Sequence, residues 1–199
     1  MIERHTLVDE LIRDLNLIRT EPINYVHFLE ERKQHHLYNC IRAPSHIVKS
    51  LEGTQPIDEL INDLGIPVTM SPLNWSYALH TVADIFSHEL GSSGTTSHFD
   101  SRGRDLKTRL AERCAVRGKV VELIQVSGTE SKEILTEMLV DDGLATRKRR
   151  RNLLDPSYHH IGIGVAPHSI YGYITVIILA EMVTEGADLA NKNGTYNST

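Results

Sequence analysis

Two adjacent carboxylates, Asp141 and Asp142, close a stretch in which Ile134, Leu135, Met138 and Leu139 recur at helical spacing. Acids in the last turn of a helix oppose its macrodipole, so they need another reason to exist. Gly143 follows as the expected C-cap. Then Arg147-Lys-Arg-Arg-Arg151 puts five cations in a row, ahead of a turn at Asn152-Leu-Leu-Asp-Pro156. Acid and base meet here, and the chemistry they offer is charge-assisted hydrogen bonding. A second candidate is His98, in the Gly/Ser/Thr-rich loop from Leu90 to Gly103. Loops held by packed helices are where sites tend to sit. No Gly-rich phosphate loop, serine nucleophile elbow or cysteine pair of metal spacing is present.

The elements that must position these residues are helical first and stranded last. Leu7, Leu11, Leu15 and Ile18, with Ile12 beside them, trace an apolar stripe. Glu21-Pro22 interrupts it before Tyr25, Phe28 and Leu29 resume. Residues 39–70 read as an irregular surface excursion around one short helix at Ile57 to Leu64, with no chemistry assigned to it. From Ser71 a strong helix restarts with Leu73, Tyr77, Leu79, Val82, Ala83 and Phe86 inward, anchored by Trp75. Arg104 to Arg113 reads as a charged helix with Leu106 and Leu110 inward. Ile161-Gly-Ile-Gly164 starts a strand that pairs, through a turn at Pro167 to Ile170, with the β-branched strand Tyr171 to Ala180. Helices on either side of a few late strands predict an α+β fold, a three-layer α-β-α sandwich with a small, mainly antiparallel sheet. The reading is one domain over 1–183 and a flexible tail over 184–199.

The chain has 199 residues and 40% hydrophobic content, enough for one substantial core. Its net charge of -5 argues against nucleic acid as the main partner, because phosphate binding needs a net basic face. Cys40 and Cys114 are free thiols or at most one bridge, and read most simply as small apolar residues. The first ten residues carry charges and no apolar core of a signal peptide, and no run approaches the roughly 18 apolar residues of a membrane span. This predicts a cytoplasmic chain without a transmembrane segment. Three Asn-x-Ser/Thr patterns, at Asn74, Asn193 and Asn197, do not move that expectation.

The run Val140-Asp-Asp-Gly143, Arg147, Asn152, Pro156 and Gly162-Ile-Gly164 resembles a segment of the CAP superfamily, the cysteine-rich secretory, antigen 5 and pathogenesis-related proteins, whose domain is also called SCP. Leu17 to Tyr25 is similar to the family's opening helix, and Leu73 to Ala83 to its Leu-x-x-Ser-x-x-Leu-x-x-Ala-Ala helix. Gly118 to Val126 is similar to its Gly-Glu-Asn-Ile run, with Val121 for Gly and Leu123 for Asn. The resemblance covers Leu7 to Val183. It implies the α-β-α sandwich and a cleft tetrad of two histidines and two acids that binds a divalent metal, often zinc.

Carried over, the tetrad falls on His98, Glu122, Asp141 and Arg149, with Asp142 adjacent to the third. Where the family has its second histidine this chain has Arg149, and arginine cannot deprotonate to become a zinc ligand. Coulomb repulsion between its charge and a divalent ion ~5 Å away is a few kcal/mol at an effective dielectric near 20. No cofactor is therefore expected; the alternative is zinc at a three-ligand site of His98, Glu122 and Asp141. Arg149 either stands in for the metal, satisfying the carboxylates by charge-assisted hydrogen bonds, or points into water as part of a solvated basic turn. A further alternative brings His159 or His160 in as the second imidazole. His80 and His88 read as polar helix-edge residues, and His35, His36 and His168 as loop surface.

The resemblance implies a non-catalytic binding module for a lipid or sterol, or for a protein partner. The alternative is a hydrolase of peptidase type in which His98 is the general base and Glu122 orients it or activates water. A third reading, contact of the basic run with nucleic acid or an anionic membrane, is opposed for nucleic acid by the net charge.

Overall fold

The computed structural model describes residues 4–37, 40–42, 47–66 and 70–185. In chain order the elements are α1 (Arg4–Thr20), α2 (Pro22–Gln34), β1 (His36–Leu37), β2 (Cys40–Arg42), β3 (Ile47–Lys49), α3 (Gln55–Gly65), β4 (Asn74–Trp75), α4 (Tyr77–Ser93), α5 (Leu106–Ala111), β5 (Cys114–Val126), α6 (Ser131–Val140), α7 (Lys148–Leu153), β6 (His160–His168) and β7 (Gly172–Glu185). They divide into two compact units, each built from two chain segments: Met1–Pro72 with Gly128–Pro156, and Leu73–Ser127 with Ser157–Thr199.

The first unit holds α1, α2, α3, α6 and α7. The break at Glu21-Pro22 is a helix boundary: Glu21 leaves the helical region at φ -135° and Pro22, with no N–H to satisfy, opens α2. Leu7, Leu11, Leu15 and Ile18 are buried, as are Ile134, Leu135, Met138 and Leu139 of α6. The Tyr25 hydroxyl pairs with Thr136 Oγ1 at 2.6 Å, tying α2 to α6. The stretch read as an irregular excursion contains its helix, α3, with Ile57, Leu60 and Leu64 buried. It also contains β2 and β3 of an antiparallel sheet of order β1-β2-β3, whose first strand lies just before it. Strands of two or three residues carry too little alternation to be read from a sequence.

The second unit is a sheet of order β4-β6-β7-β5, in which β4 and β6 are parallel and the other two pairings antiparallel. The α+β class with a mainly antiparallel sheet is thus observed. Helix α4 packs on β6 and β7, and α5 on β5. Leu79, Val82, Ala83 and Phe86 are buried against Ile174, Val176, Ile178 and Ala180. Tyr77, expected inward, is exposed, because Ser76 is the N-cap and Tyr77 opens the first turn. The glycines of β6 have a physical reason. A Cβ on Gly162 would stand 2.1 Å from the His80 nitrogen, and one on Gly164 2.3 Å from the Ala83 carbonyl oxygen. Helix and strand therefore meet backbone to backbone, and only glycine fits. Strand β7 continues to Glu185, opposite Cys114, past the expected strand end at Ala180 and the expected domain end at Val183. Of the expected tail, 186–199 lie outside the described residues.

Candidate functional site

In the first unit, helix α6 ends two residues earlier than the sequence suggests. Asp141 itself takes the left-handed C-cap conformation at φ 52°, ahead of Gly143 at φ 79°. Aspartate visits this region because its short side chain can bond locally. Asp141 is fully buried, and its carboxylate accepts from the Arg149 backbone N–H at 2.8 Å and from Arg149 Nε at 2.6 Å. Asp142 is engaged elsewhere, accepting from the backbone N–H groups of Leu51 and Glu52 at 2.7 and 3.0 Å. The two neighbouring acids thus do separate jobs.

The basic run is not a solvated turn. Its residues form α7, entered through Arg147 at φ 45°, and Arg147 and Arg150 are buried. Arg147 donates to Glu52 through Nη1 and Nη2 at 2.6 and 2.7 Å, and to Glu59 through Nε at 2.8 Å. Arg150 donates to Asp63 at 3.0 Å and to the carbonyls of Leu139, Pro56 and Val140. The arginine bonds hold the Glu52 carboxyl down at about 2 and Glu59 below its ordinary value. The acids that receive Arg147 and Arg150 all come from the segment to which the sequence assigns no chemistry. Nothing in one-dimensional spacing links Glu52 to Arg147. Arg19, fully buried, likewise reaches the carbonyls of Leu153 and Asp155 at 2.8 and 3.1 Å.

In the second unit His98 and Glu122 come together. His98 Nδ1 lies 3.0 Å from Glu122 Oε1; the imidazole side chain is 60% exposed and the carboxylate 3%. The other carboxylate oxygen accepts from Arg109 Nη2 at 2.8 Å, and the same nitrogen lies 3.4 Å from the His98 carbonyl oxygen. Arg109 is buried with its guanidinium 3.6 Å over the Phe86 ring. Sequence reading placed Arg109 in a charged helix and missed this role. Nothing in its spacing marks it, since the pairing with Glu122 joins residues of different elements.

The remaining candidates are placed as follows. His80 Nδ1 bonds the Ile163 carbonyl at 2.6 Å, and its ring stacks on Trp75 at 4.9 Å, so the tryptophan packs at the helix start while staying partly exposed. His168, read as loop surface, is buried: Nδ1 accepts from the backbone N–H groups of Ile170 and Tyr171 at 3.2 Å, and Nε2 faces the Thr95 carbonyl at 3.3 Å. His160 is partly buried, and burial and then His159 lower its pKa. Cys40 and Cys114 are free thiols, and burial pushes the Cys114 thiol up.

Residues 59–179 match the family described as the Cysteine-rich secretory protein family, CAP. No curated protein matches the chain in sequence. Among solved structures the chain is similar to an extracellular protein containing an SCP domain from Bacillus anthracis str. Ames, at 16% identity and a TM-score of 0.45 over 57% of this chain and 35% of that one. It is also similar to an outer surface protein from Borrelia burgdorferi, at 15% identity and a TM-score of 0.47 over 66% of this chain and 96% of that one. The chain spans about a third of the length of the Bacillus protein. The cytoplasmic expectation is corrected here, since these two proteins are described as extracellular and outer-surface. Of the charges it relied on, Asp9 is exposed on α1, whose Leu7, Leu11 and Leu15 are buried, so it reports on the fold and not on a compartment. Among the described residues no helix is long and apolar enough to cross a membrane.

Proposed function

The chain belongs to the CAP family, the Cysteine-rich secretory protein family, and from that premise we propose that it is a non-catalytic CAP-type binding module for a lipid or sterol. The observation that carries the non-catalytic part is the pairing of the acids. Glu122 is held by Arg109 and Asp141 by Arg149, at 2.8 and 2.6 Å. A carboxylate already neutralised by a guanidinium is a poor ligand for a divalent ion, and among the described residues no group of three or more His, Cys, Asp or Glu is placed to hold a metal. The donor set does not fit the family metal, and Arg149 serves as a structural cation.

The ligand part is supported by a cavity of about 430 Å³ within the first unit. Pro22, Leu64, Ile66, Met70, Leu154 and Pro156 give it apolar walls, with Asp63, Arg150, Arg151 and Asp155 as its charged edge. That size and lining suit an apolar ligand with a small polar end. The test is calorimetric titration of metal-stripped protein with zinc, together with uptake of a fluorescent sterol and a fluorescent fatty acid. The expected result is no zinc binding, and saturable lipid uptake that Leu154→Trp abolishes by filling the cavity. A protein partner becomes the better reading if neither lipid is taken up.

A second reading rests on the His98–Glu122 pair, whose exposed imidazole and buried carboxylate have the arrangement of a general base and its orienting acid. Zinc binding or peptide hydrolysis by the wild type, lost in His98→Ala and kept in a surface variant, would replace the first reading with this one.

A further inference from the structure

We propose that the cavity bounded by α4, the turn at Asp100 to Arg104 and α5 is a second binding site, selective for a small oxyanion that carries an apolar group. It is independent of the lipid reading. The cavity measures about 320 Å³, and Val82, Ile85 and Phe86 form its apolar wall. Around them stand four guanidinium groups, from Arg102, Arg104, Arg109 and Arg113, against three carboxylates. The carboxylates are all engaged. Asp100 accepts from the backbone N–H groups of Arg102 and Arg104 at 3.0 and 2.8 Å and from Arg104 Nε at 2.7 Å. Glu112 pairs with Arg104 Nη1, and Glu89 accepts from the Ser101 backbone N–H.

The arginines are not all engaged. Neither Arg102 nor Arg113 has a side-chain partner among the described residues, and both are exposed. Arg109, 6% exposed, spends Nη2 on Glu122, while its Nε and Nη1 have no partner among the described residues. Buried unpaired donors are costly, and because Arg109 lines the same cavity its charge attracts an anion bound there by the outer guanidiniums. Two planar forks at the rim match a carboxylate or phosphate monoester, and the isoleucine and phenylalanine wall selects one bearing a hydrocarbon part. The engaged carboxylates repel extended polyanions, which separates this site from a nucleic-acid surface.

The test is calorimetry of the full chain with phenyl phosphate, hexanoate and 1-hexanol. The anions are expected to bind saturably and more weakly as salt rises, and 1-hexanol is expected not to bind. Arg102→Ala/Arg113→Ala should weaken anion binding about tenfold or more with thermal stability unchanged, since each lost charge-assisted pair contributes to affinity. Ile85→Asp should abolish it. Failure of both anions to bind at millimolar concentration, equal binding of 1-hexanol, or unaltered affinity in the double arginine variant would overturn the proposal.

Discussion

Asp141 holds Arg149 twice, through the backbone N–H at 2.8 Å and through Nε at 2.6 Å, from a left-handed backbone position that closes α6. One residue thus ends a helix, starts the approach to the next and anchors a cation. Asp141→Ala removes the acceptor and leaves a residue that resists this conformation, and should cost about 3 kcal/mol. Asp141→Asn keeps the conformation and one acceptor oxygen, and should cost clearly less. Urea unfolding of the two variants measures the difference; equal losses would show that the charge pair and not the backbone dominates.

Acid sensitivity follows from the clamp on the basic helix. Glu52 is lowered from 4.5 to about 2 by Arg147, and Glu59 is lowered by the same residue. A depressed carboxyl pKa contributes stability that is present above the unfolded value and is lost as pH falls toward the folded one. The contribution should therefore fade between pH 4.5 and about 2. Glu52→Gln should lower the melting temperature at pH 7 and flatten its decline across that window. Arg147→Ala should destabilise by about 2–3 kcal/mol at pH 7, less than for a fully buried pair because both glutamates are partly exposed.

The seam between α4 and β6 sets a steric prediction. Gly162→Ala drives a methyl to within 2.1 Å of helix backbone, which cannot rotate away. It should cost ~3 kcal/mol or more in chemical denaturation. Gly65→Ala is the control: it ends α3 with nothing within 4 Å of the added carbon, so the change should be neutral or stabilising by up to ~1 kcal/mol.

His168 organises the turn between β6 and β7 by accepting from two backbone N–H groups. His168→Ala strands those donors and should cost about 1–3 kcal/mol. Amide exchange at Ile170 and Tyr171 should accelerate more than exchange at Val176, in the middle of β7. Uniform acceleration would instead indicate a global loss of stability.

Much of this molecule is legible from periodicity. The stripes Leu7-Leu11-Leu15 and Ile134-Leu135-Met138-Leu139 are long and regular, so burial follows from spacing alone. The late hairpin is legible for the same reason, its β-branched run being unlike anything else in the chain. What escapes is whatever depends on residues far apart in sequence. Arg147 and Glu52 are both ordinary charged residues until the fold joins them, and a run of arginines looks solvated because most such runs are. His168 looks like loop surface because a turn that wraps around a ring has no pattern. The pairing of His98 with Glu122 was suggested by resemblance and not by spacing, and Arg109, which fixes Glu122 from the other side, was signalled by neither.

The glycine seam bears on how the second unit can respond to a ligand. At Gly162 and Gly164 helix and strand backbones meet with no strand side chain between them, so α4 has no room to settle closer to β6. Ile85 and Phe86 ride on that helix. Arg102 and Arg104, and His98 before them, hang on the segment after Ser93, outside any helix or strand. Adjustment to different guests should therefore fall mainly to the rim, so one closely seated wall would serve ligands that share a hydrocarbon shape and differ in their acid group.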